Sequence, residues 1–247
     1  GWHVECSAMS LHYLDEYVDL HLGGIDLRFP HHEDERAQSN SAIGKESVAL
    51  WVHGEHLLFE GRKMAKSTGN VVLVSDLITK HIDPLALRLC FLENRYRSQM
   101  DLSWDSLKAA HLLIQRWREK IQVWQRDTSV DQVNANELIA EVIADFRQDL
   151  DTPRALQKLR TIEKSEEIKD STKFKVFSIL DNLFGLNLLT QSTQKVLDQN
   201  GQELLEKRVL ARGLGDFAES DRLRDELAKL GVVVRDGKEG QSWDWLI

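Results

Sequence analysis

"EYVDLHLGGIDLRFPHHEDERAQSNSAIG", residues 16–44, decides the fold class. Its first nine residues alternate in part and end in Gly23-Gly24, as a strand running into a glycine turn does. The last fourteen, from His31, predict a helix. Pro30 stands just ahead of it, where a fixed φ and a missing N–H cost little. Gly44 can close that helix, because glycine accepts the left-handed conformation a C-terminal cap needs. Downstream, "VALWVHGEHLLFEG" (48–61) predicts two strands around a turn, followed by the loop "GRKMAKSTGN" (61–70). Strand and helix signals alternating in this way predict part of a parallel α/β domain.

Working outward, three regions differ in texture: 1–82, 83–190 and 191–247. The second is mostly helical. Leu107, Ala110, Ile114, Trp117, Ile121 and Trp124 recur by threes and fours and so line one helix face. Leu138, Val142, Phe146 and Leu150 repeat at fours, and Phe174, Phe177, Leu180 and Phe184 form another stripe. Pro153 restarts the chain into a further helix, and the whole predicts a bundle whose stripes are core. In the third region, "TQSTQKVLDQNGQ" (190–202) reads as a mobile linker. Two helices are expected around 203–212 and 217–230, then a β-hairpin turning at Asp236-Gly237. The expected fold is therefore α/β, followed by an α-helical bundle and a small α+β region.

Composition narrows the function. The chain has 247 residues, 42% hydrophobic and 29% charged, which suits a soluble protein of more than one core. No apolar run approaches the length that spans a bilayer, so no membrane partner is expected, and "GWHVEC" does not read as a signal peptide. Two cysteines make no disulfide framework and favour a reducing, cytoplasmic setting. A net charge of -8 argues against broad non-specific nucleic-acid binding but leaves room for a local RNA-reading surface.

Two stretches carry chemistry. His31 and Glu35 are four apart and project from one helix face, and with a Cys6 thiolate they would make a zinc-type ligand set. The bland alternative is a charged helix start, its acids set near the positive end of the dipole, with Cys6 a small buried hydrophobe. The loop around Lys63 and Lys66 offers two ammonium groups with Ser67, Thr68 and Gly69 as further donors. It can close on a polyphosphate, or be a solvated basic turn.

"GWHVECSAM", "DLHLGGIDLRFPHHEDE", "KMAKSTGN" and "DPLALR", in this order, resemble the cysteinyl-tRNA synthetase family, and the likeness runs to the carboxyl end. The resemblance implies a class I synthetase with a Rossmann-type catalytic domain, a helical domain and an anticodon-binding region. It implies activation of L-cysteine by ATP, with Mg²⁺, and transfer to tRNA-Cys by a monomeric cytoplasmic enzyme. Mapped residue by residue, it makes Cys6, His31 and Glu35 ligands of one Zn²⁺ that recognises the substrate cysteine. It makes Lys66 the main ATP contact with Lys63 in support, although Ala65 replaces the commoner serine. Trp2 and His3 match the cysteine pocket; a frayed terminal aromatic is the alternative for Trp2. Gly23, Gly24 and Asp26 match a nucleotide-side turn, with Leu22 where the family usually has another glycine. His32 and Glu33 take supporting places.

The family's "HIGH" motif and fourth zinc ligand belong to an N-terminal half that this sequence does not contain, so that half is an expected partner and the chain alone is expected to be inactive. Arg88, Arg95 and Arg97 are candidate phosphate contacts, and Arg235, Trp243 and Trp245 candidate anticodon contacts, the tryptophans equally able to close a small core. Two other functions stay open: a ligase joining cysteine to glucosaminyl-inositol, which shares the zinc and lysine motifs, and a non-catalytic tRNA-binding fragment.

Overall fold

The computed structural model describes residues 1–64, 69, 71–190, 197–237 and 240–245. The chain opens with helix α1 (Trp2–Tyr13), strand β1 (Val18–Gly24), a one-turn bend through Ile25–Leu27 and Arg28–His32, helix α2 (Glu33–Ile43) and strand β2 (Val48–Gly54). β1 pairs in parallel with β2, Val18 opposite Val48 and Gly24 opposite Gly54, and α2 makes the crossover. Gly44 ends α2 at φ 74°, as expected of a left-handed cap. Pro30 lies inside the bend rather than at a simple helix start, and its peptide bond to Phe29 is cis.

Strand alternation gives this small sheet two unlike faces. His21 and Trp51, opposite one another, face α2 through His21's contact with Glu35. Leu20 and Leu50, also opposite one another, are 46% and 57% exposed, with Leu22 beyond them.

β2 does not pair with the next strand. The chain crosses instead into a second sheet, β3 (Leu57–Phe59), β4 (Arg62–Lys63) and β5 (Met100–Leu102), in the order β4-β3-β5. Between β4 and β5 lie α3 (Val74–Thr79) and α4 (Leu85–Leu92). The two expected strands are present on either side of Glu55-His56, but they belong to different sheets: β3 pairs with β4 and, across forty residues, with β5, a long-range pairing that local turn signals cannot report.

Helices α5 (Trp104–Trp124), α6 (Ala135–Phe146), α7 (Thr152–Lys164) and α8 (Asp170–Phe184) form the bundle. Ser103 caps α5 by accepting from Ser106 N at 3.1 Å. Every member of the α5 stripe from Leu107 to Trp124 is buried. Full burial of such side chains contributes about 1.5–3 kcal/mol each. Trp117 meets the edge of Phe177 at 5.6 Å, and one core runs from Phe59 to Leu188. The stripe of α6 stops at Phe146, and Leu150 is 52% exposed in a left-handed turn, so it is not part of that face. α8 ends at Gly185, φ 64°. There the Arg88 guanidinium sits 3.0 Å from where a Cβ would be, and its Nε donates to the Phe184 carbonyl at 2.6 Å.

The last unit is an αα-hairpin, α9 (Gln199–Gly213) and α10 (Phe217–Lys229), covered by β6 (Val232–Gly237) and β7 (Gly240–Trp245) in an antiparallel pair. Leu197, Leu227, Val232 and Val234 form its own core, with Trp243 and Trp245 against it. Residues 197–202 are therefore core and helix, not linker, while 191–196 lie outside the described residues. Asp236 lies in the ladder, and Gly237 forms its last pair, opposite Gly240. Arg208, fully buried, holds both Asp236 oxygens at 2.9 Å and Gln241 at 2.6 Å. That bidentate clamp ties the strand to α9 one pair before the hairpin closes.

Candidate metal and nucleotide site

α1 and α2 pack side by side and bring Cys6 to a pair of residues one helical turn apart, His31 and Glu35. Cys6 comes from α1, His31 from the bend and Glu35 from the first turn of α2, and their ligand atoms lie within 4.8 Å of one another. Glu35 is 3% and His31 5% exposed. His31 Nε2 is 2.5 Å from Glu35 Oε1. The Cys6 thiol is pushed above its ordinary 9.0 by burial first and by the charges of Glu35 and Glu5 second. A divalent cation among these atoms reverses that balance, because it favours the thiolate. Thiolate, imidazole and carboxylate are the donor types of a zinc site, so the residues fit the metal the sequence implied.

The proton inventory points the same way. His3 Nδ1 lies 2.7 Å from His31 Nδ1, and His3 Nε2 lies 3.5 Å from Asp34 Oδ2. If His3 Nε2–H faces the Asp34 carboxylate, His3 Nδ1 is left to accept from His31 Nδ1–H. That assignment leaves the His31 Nε2 lone pair free for a cation, whereas without one the 2.5 Å contact to Glu35 Oε1 needs a proton on Nε2. Such an outer chain orients a ligating histidine. Trp2 closes the edge of the site, its ring 4.0 Å from that of His31. The structure thus brings Trp2, His3, Cys6, His31 and Glu35 into one place and adds Asp34, which had only a charged-helix role in the sequence.

A second group lies beneath. His21, His32 and Glu35 also converge within 4.8 Å, and His21 Nε2 is 3.6 Å from Glu35 Oε2. His32 Nδ1 and His53 Nε2 share a hydrogen bond of 2.9 Å. Burial, then His21, His53 and His31, push His32 down to about 4, and burial also lowers His53. At neutral pH His32 and His53 are therefore uncharged and offer lone pairs rather than repulsion. Trp51 stacks on His21 at 4.4 Å, with its indole N–H buried and without a partner among the described residues. His21, His53 and Trp51 carried no local motif; only the fold assembles them.

Gly23 and Gly24 each stand where a side chain would collide with the protein itself. A Cβ on Gly23 would sit 2.4 Å from His32 Cε1, and one on Gly24 2.4 Å from Asp26 Oδ1. The space these glycines leave is taken by the protein's own imidazole and carboxylate.

Comparison with known proteins fits this geometry. The family described as tRNA synthetases class I (C) catalytic domain matches residues 1–112, and the cysteinyl-tRNA ligase anticodon binding domain matches 195–243. A cysteine–tRNA ligase of Thermus thermophilus is 38% identical over 98% of this chain and 55% of its own length. One of Opitutus terrae is 40% identical over 98% and 52%. The chain belongs to the cysteinyl-tRNA synthetase family.

The chain spans about half the length of the curated relatives it matches. A solved ternary complex of Agrobacterium radiobacter K84 agnB2 LeuRS-tRNA-LeuAMS superposes with a TM-score of 0.52 at 16% identity, covering 68% of this chain and 26% of that one; it carries a likeness of fold alone. No helix among the described residues is long and apolar enough to cross a membrane.

Of the remaining residues expected from the synthetase family, Lys63 is exposed on β4, and Lys66 lies outside the described residues. Arg95 pairs with Asp151, Arg97 with Asp149 at 2.7 Å, and Arg88 caps α8, so each of these arginines already has a partner within the fold. Trp243 faces the small core, packed edge-on against Trp245, while Arg235, paired with Ser242, is exposed on the other face of the hairpin. Of the three anticodon candidates, Trp243 and Trp245 thus lie together and Arg235 lies apart from them.

Proposed function

We propose that this chain supplies the metal-binding, lysine-loop and tRNA-reading parts of a cysteine–tRNA ligase. The observation that carries the reading is the convergence of Cys6 on α1 with the i,i+4 pair His31 and Glu35, all within 4.8 Å. In this reading 1–82 is the second half of a Rossmann-type catalytic domain, 83–190 the helical domain and 191–247 the anticodon-binding region.

Zinc bound by Cys6, His31 and Glu35 would supply a soft Lewis acid that selects the substrate thiol. Cysteine and serine differ by one atom, and a hydrophobic pocket separates near-isosteres poorly. A soft cation favours thiolate over hydroxyl, so selection there makes separate editing unnecessary. Trp2, at the edge of the same group, bounds the side chain of the bound amino acid. His3 and Asp34 hold the His31 proton on Nδ1.

In the first step the cysteine carboxylate attacks the α-phosphorus of ATP, releasing pyrophosphate and leaving cysteinyl adenylate. Lys66, with Lys63 beside it, neutralises charge on the leaving phosphates together with Mg²⁺. In the second, a terminal ribose hydroxyl of tRNA-Cys attacks the activated carbonyl and AMP departs. The match of residues 195–243 to an anticodon binding domain supports tRNA, rather than glucosaminyl-inositol, as the acceptor.

The exposed Leu20, Leu22 and Leu50 face supports the need for further catalytic-domain structure. The test mixes this chain with the amino-terminal part of the Thermus relative and measures bound zinc and cysteinylated tRNA together. The expected result is one zinc per complex and restored charging, with neither mixed component active by itself. Tight tRNA binding without charging or cysteine-dependent pyrophosphate exchange would instead make the chain a tRNA-binding module.

A further inference from the structure

Just before the lysine loop in sequence stands the shortest strand among the described residues. β4 contains only Arg62 and Lys63, and it is joined to β3 by the two-residue turn Glu60–Gly61. Both turn residues have positive φ, 51° and 73°, the backbone of a type I′ hairpin. Gly61 takes that conformation freely. Glu60 carries a Cβ and does so only when its surroundings hold it.

What holds it is β5. In an ordinary hairpin the turn's N–H groups go to water. Here the Glu60 N–H donates to the Leu102 carbonyl and the Gly61 N–H to Asp101 Oδ1, both at 2.9 Å. The Glu60 carboxylate in turn accepts from Trp104 N at 3.1 Å, at the start of α5. The register sets Lys63 opposite Leu58 and Leu58 opposite Asp101, so the three stand in one row across the sheet. Met64, next along, packs on the main core.

We propose that Asp101 is a positioning residue for Lys63. Its carboxylate fixes the Glu60–Gly61 turn against β5 and thereby sets where β4 ends and the direction from which Lys63 presents its ammonium group. The functional half of this inference rests on the lysine loop's reading as an ATP contact; the structural half rests on the hydrogen bonds alone. Asn at the same position keeps an oxygen that can accept from Gly61 N–H, whereas Ala does not.

Two readouts separate these halves. In the full chain, initial tryptic cleavage after Arg62 and Lys63, followed by mass spectrometry, reports opening of the root when reclosing outpaces cutting. Asp101→Ala is expected to raise it about tenfold, the scale of losing one hydrogen bond to a charged acceptor. Asp101→Asn is expected to stay near the unaltered rate, and cleavage at sites in α9 and α10 to stay unchanged in both. An unchanged rate in Asp101→Ala, or equal opening in both variants, overturns the proposal. In the complex with the amino-terminal part of the relative, Asp101→Ala should lower the maximal rate of pyrophosphate exchange with the KM for cysteine unaltered, and Asp101→Asn should restore it. Exchange absent from the unaltered complex would remove the ligase reading, while the cleavage result would still decide the role of Asp101.

Discussion

His32 makes the candidate site a reporter of its own burial. The side chain is 4% exposed, and its imidazole faces His21 from β1, His53 from β2, and His31 and Glu35 from its own segment. Burial and those neighbours lower it from 6.5 to about 4. An unfolded chain takes up a proton at this residue near pH 6.5; the folded chain resists until about pH 4. Between those values the unfolded state binds more protons, so stability falls as pH falls. The contribution is complete above the higher value and gone below the lower one. The gap is worth about 3 kcal/mol. His53 is lowered as well and adds to the same slope.

The assay is urea unfolding of the chain in chelator, stepped between pH ~7 and ~4. His32→Asn keeps a group able to reach His53 and removes the titration, so its stability should vary with pH by about 3 kcal/mol less than that of the unaltered chain. Parallel pH profiles for the two proteins would refute the reasoning. So would an NMR titration that places the His32 imidazole near its ordinary value.

The other predictions concern separate parts of the fold. Zinc at about a hundred times its Kd should stabilise the metal-free chain by ~2.7 kcal/mol, which thermal unfolding reads as a rise of roughly 5–10 °C. Cys6→Ser should abolish most of that rise, and Asp34→Asn should weaken zinc by about 10-fold or more in a chelator competition, through the His3–His31 chain. Glu163, 3% exposed, accepts from Trp117 Nε1 at 2.8 Å and pairs with Arg116 and Lys120. Glu163→Ala should therefore cost about 3 kcal/mol in denaturant unfolding, and Arg116→Ala, whose guanidinium is half exposed, under about 1 kcal/mol. Trp243→Ala should loosen the carboxyl-terminal unit by about 2 kcal/mol in hydrogen exchange, whereas Arg235→Ala should leave stability within ~0.5 kcal/mol and be read in tRNA affinity alone.

Local patterns exposed some of this architecture and hid the rest for identifiable reasons. The β1–bend–α2 unit was legible because alternation, paired glycines and the Gly44 cap all act within a few residues. The α5 face was legible because its apolar spacing persists over five turns and each stripe member is buried. α1 was not anticipated. Its apolar residues are scattered around the helix, and Ser7 is its one buried side chain. The exchange of partners at β3, and the clamp of Arg208 on Asp236, join residues 28 to 40 or more apart, which no turn or propensity signal reports.

The site divides in the same way. His31 and Glu35 stand one helical turn apart and could be paired from spacing. Cys6 was a candidate by donor type alone, the family likeness assigned it, and the structure brings its donor atom to theirs. His21, His53, Trp51 and Asp34 become neighbours of these groups only when a strand, a bend and two helices are packed together.

The leucine row on the β1–β2 sheet bears on handling the protein. Leu20 and Leu50 lie side by side with Leu22 beyond, and each strand has one edge without a partner among the described residues. An apolar face bordered by unpaired N–H and C=O groups invites strand addition from any other chain that offers the same. Yield and solubility should therefore depend on concentration and on whether a covering polypeptide is made alongside. A charged residue placed at Leu22 should improve solubility of the lone chain while weakening its capture by that covering polypeptide.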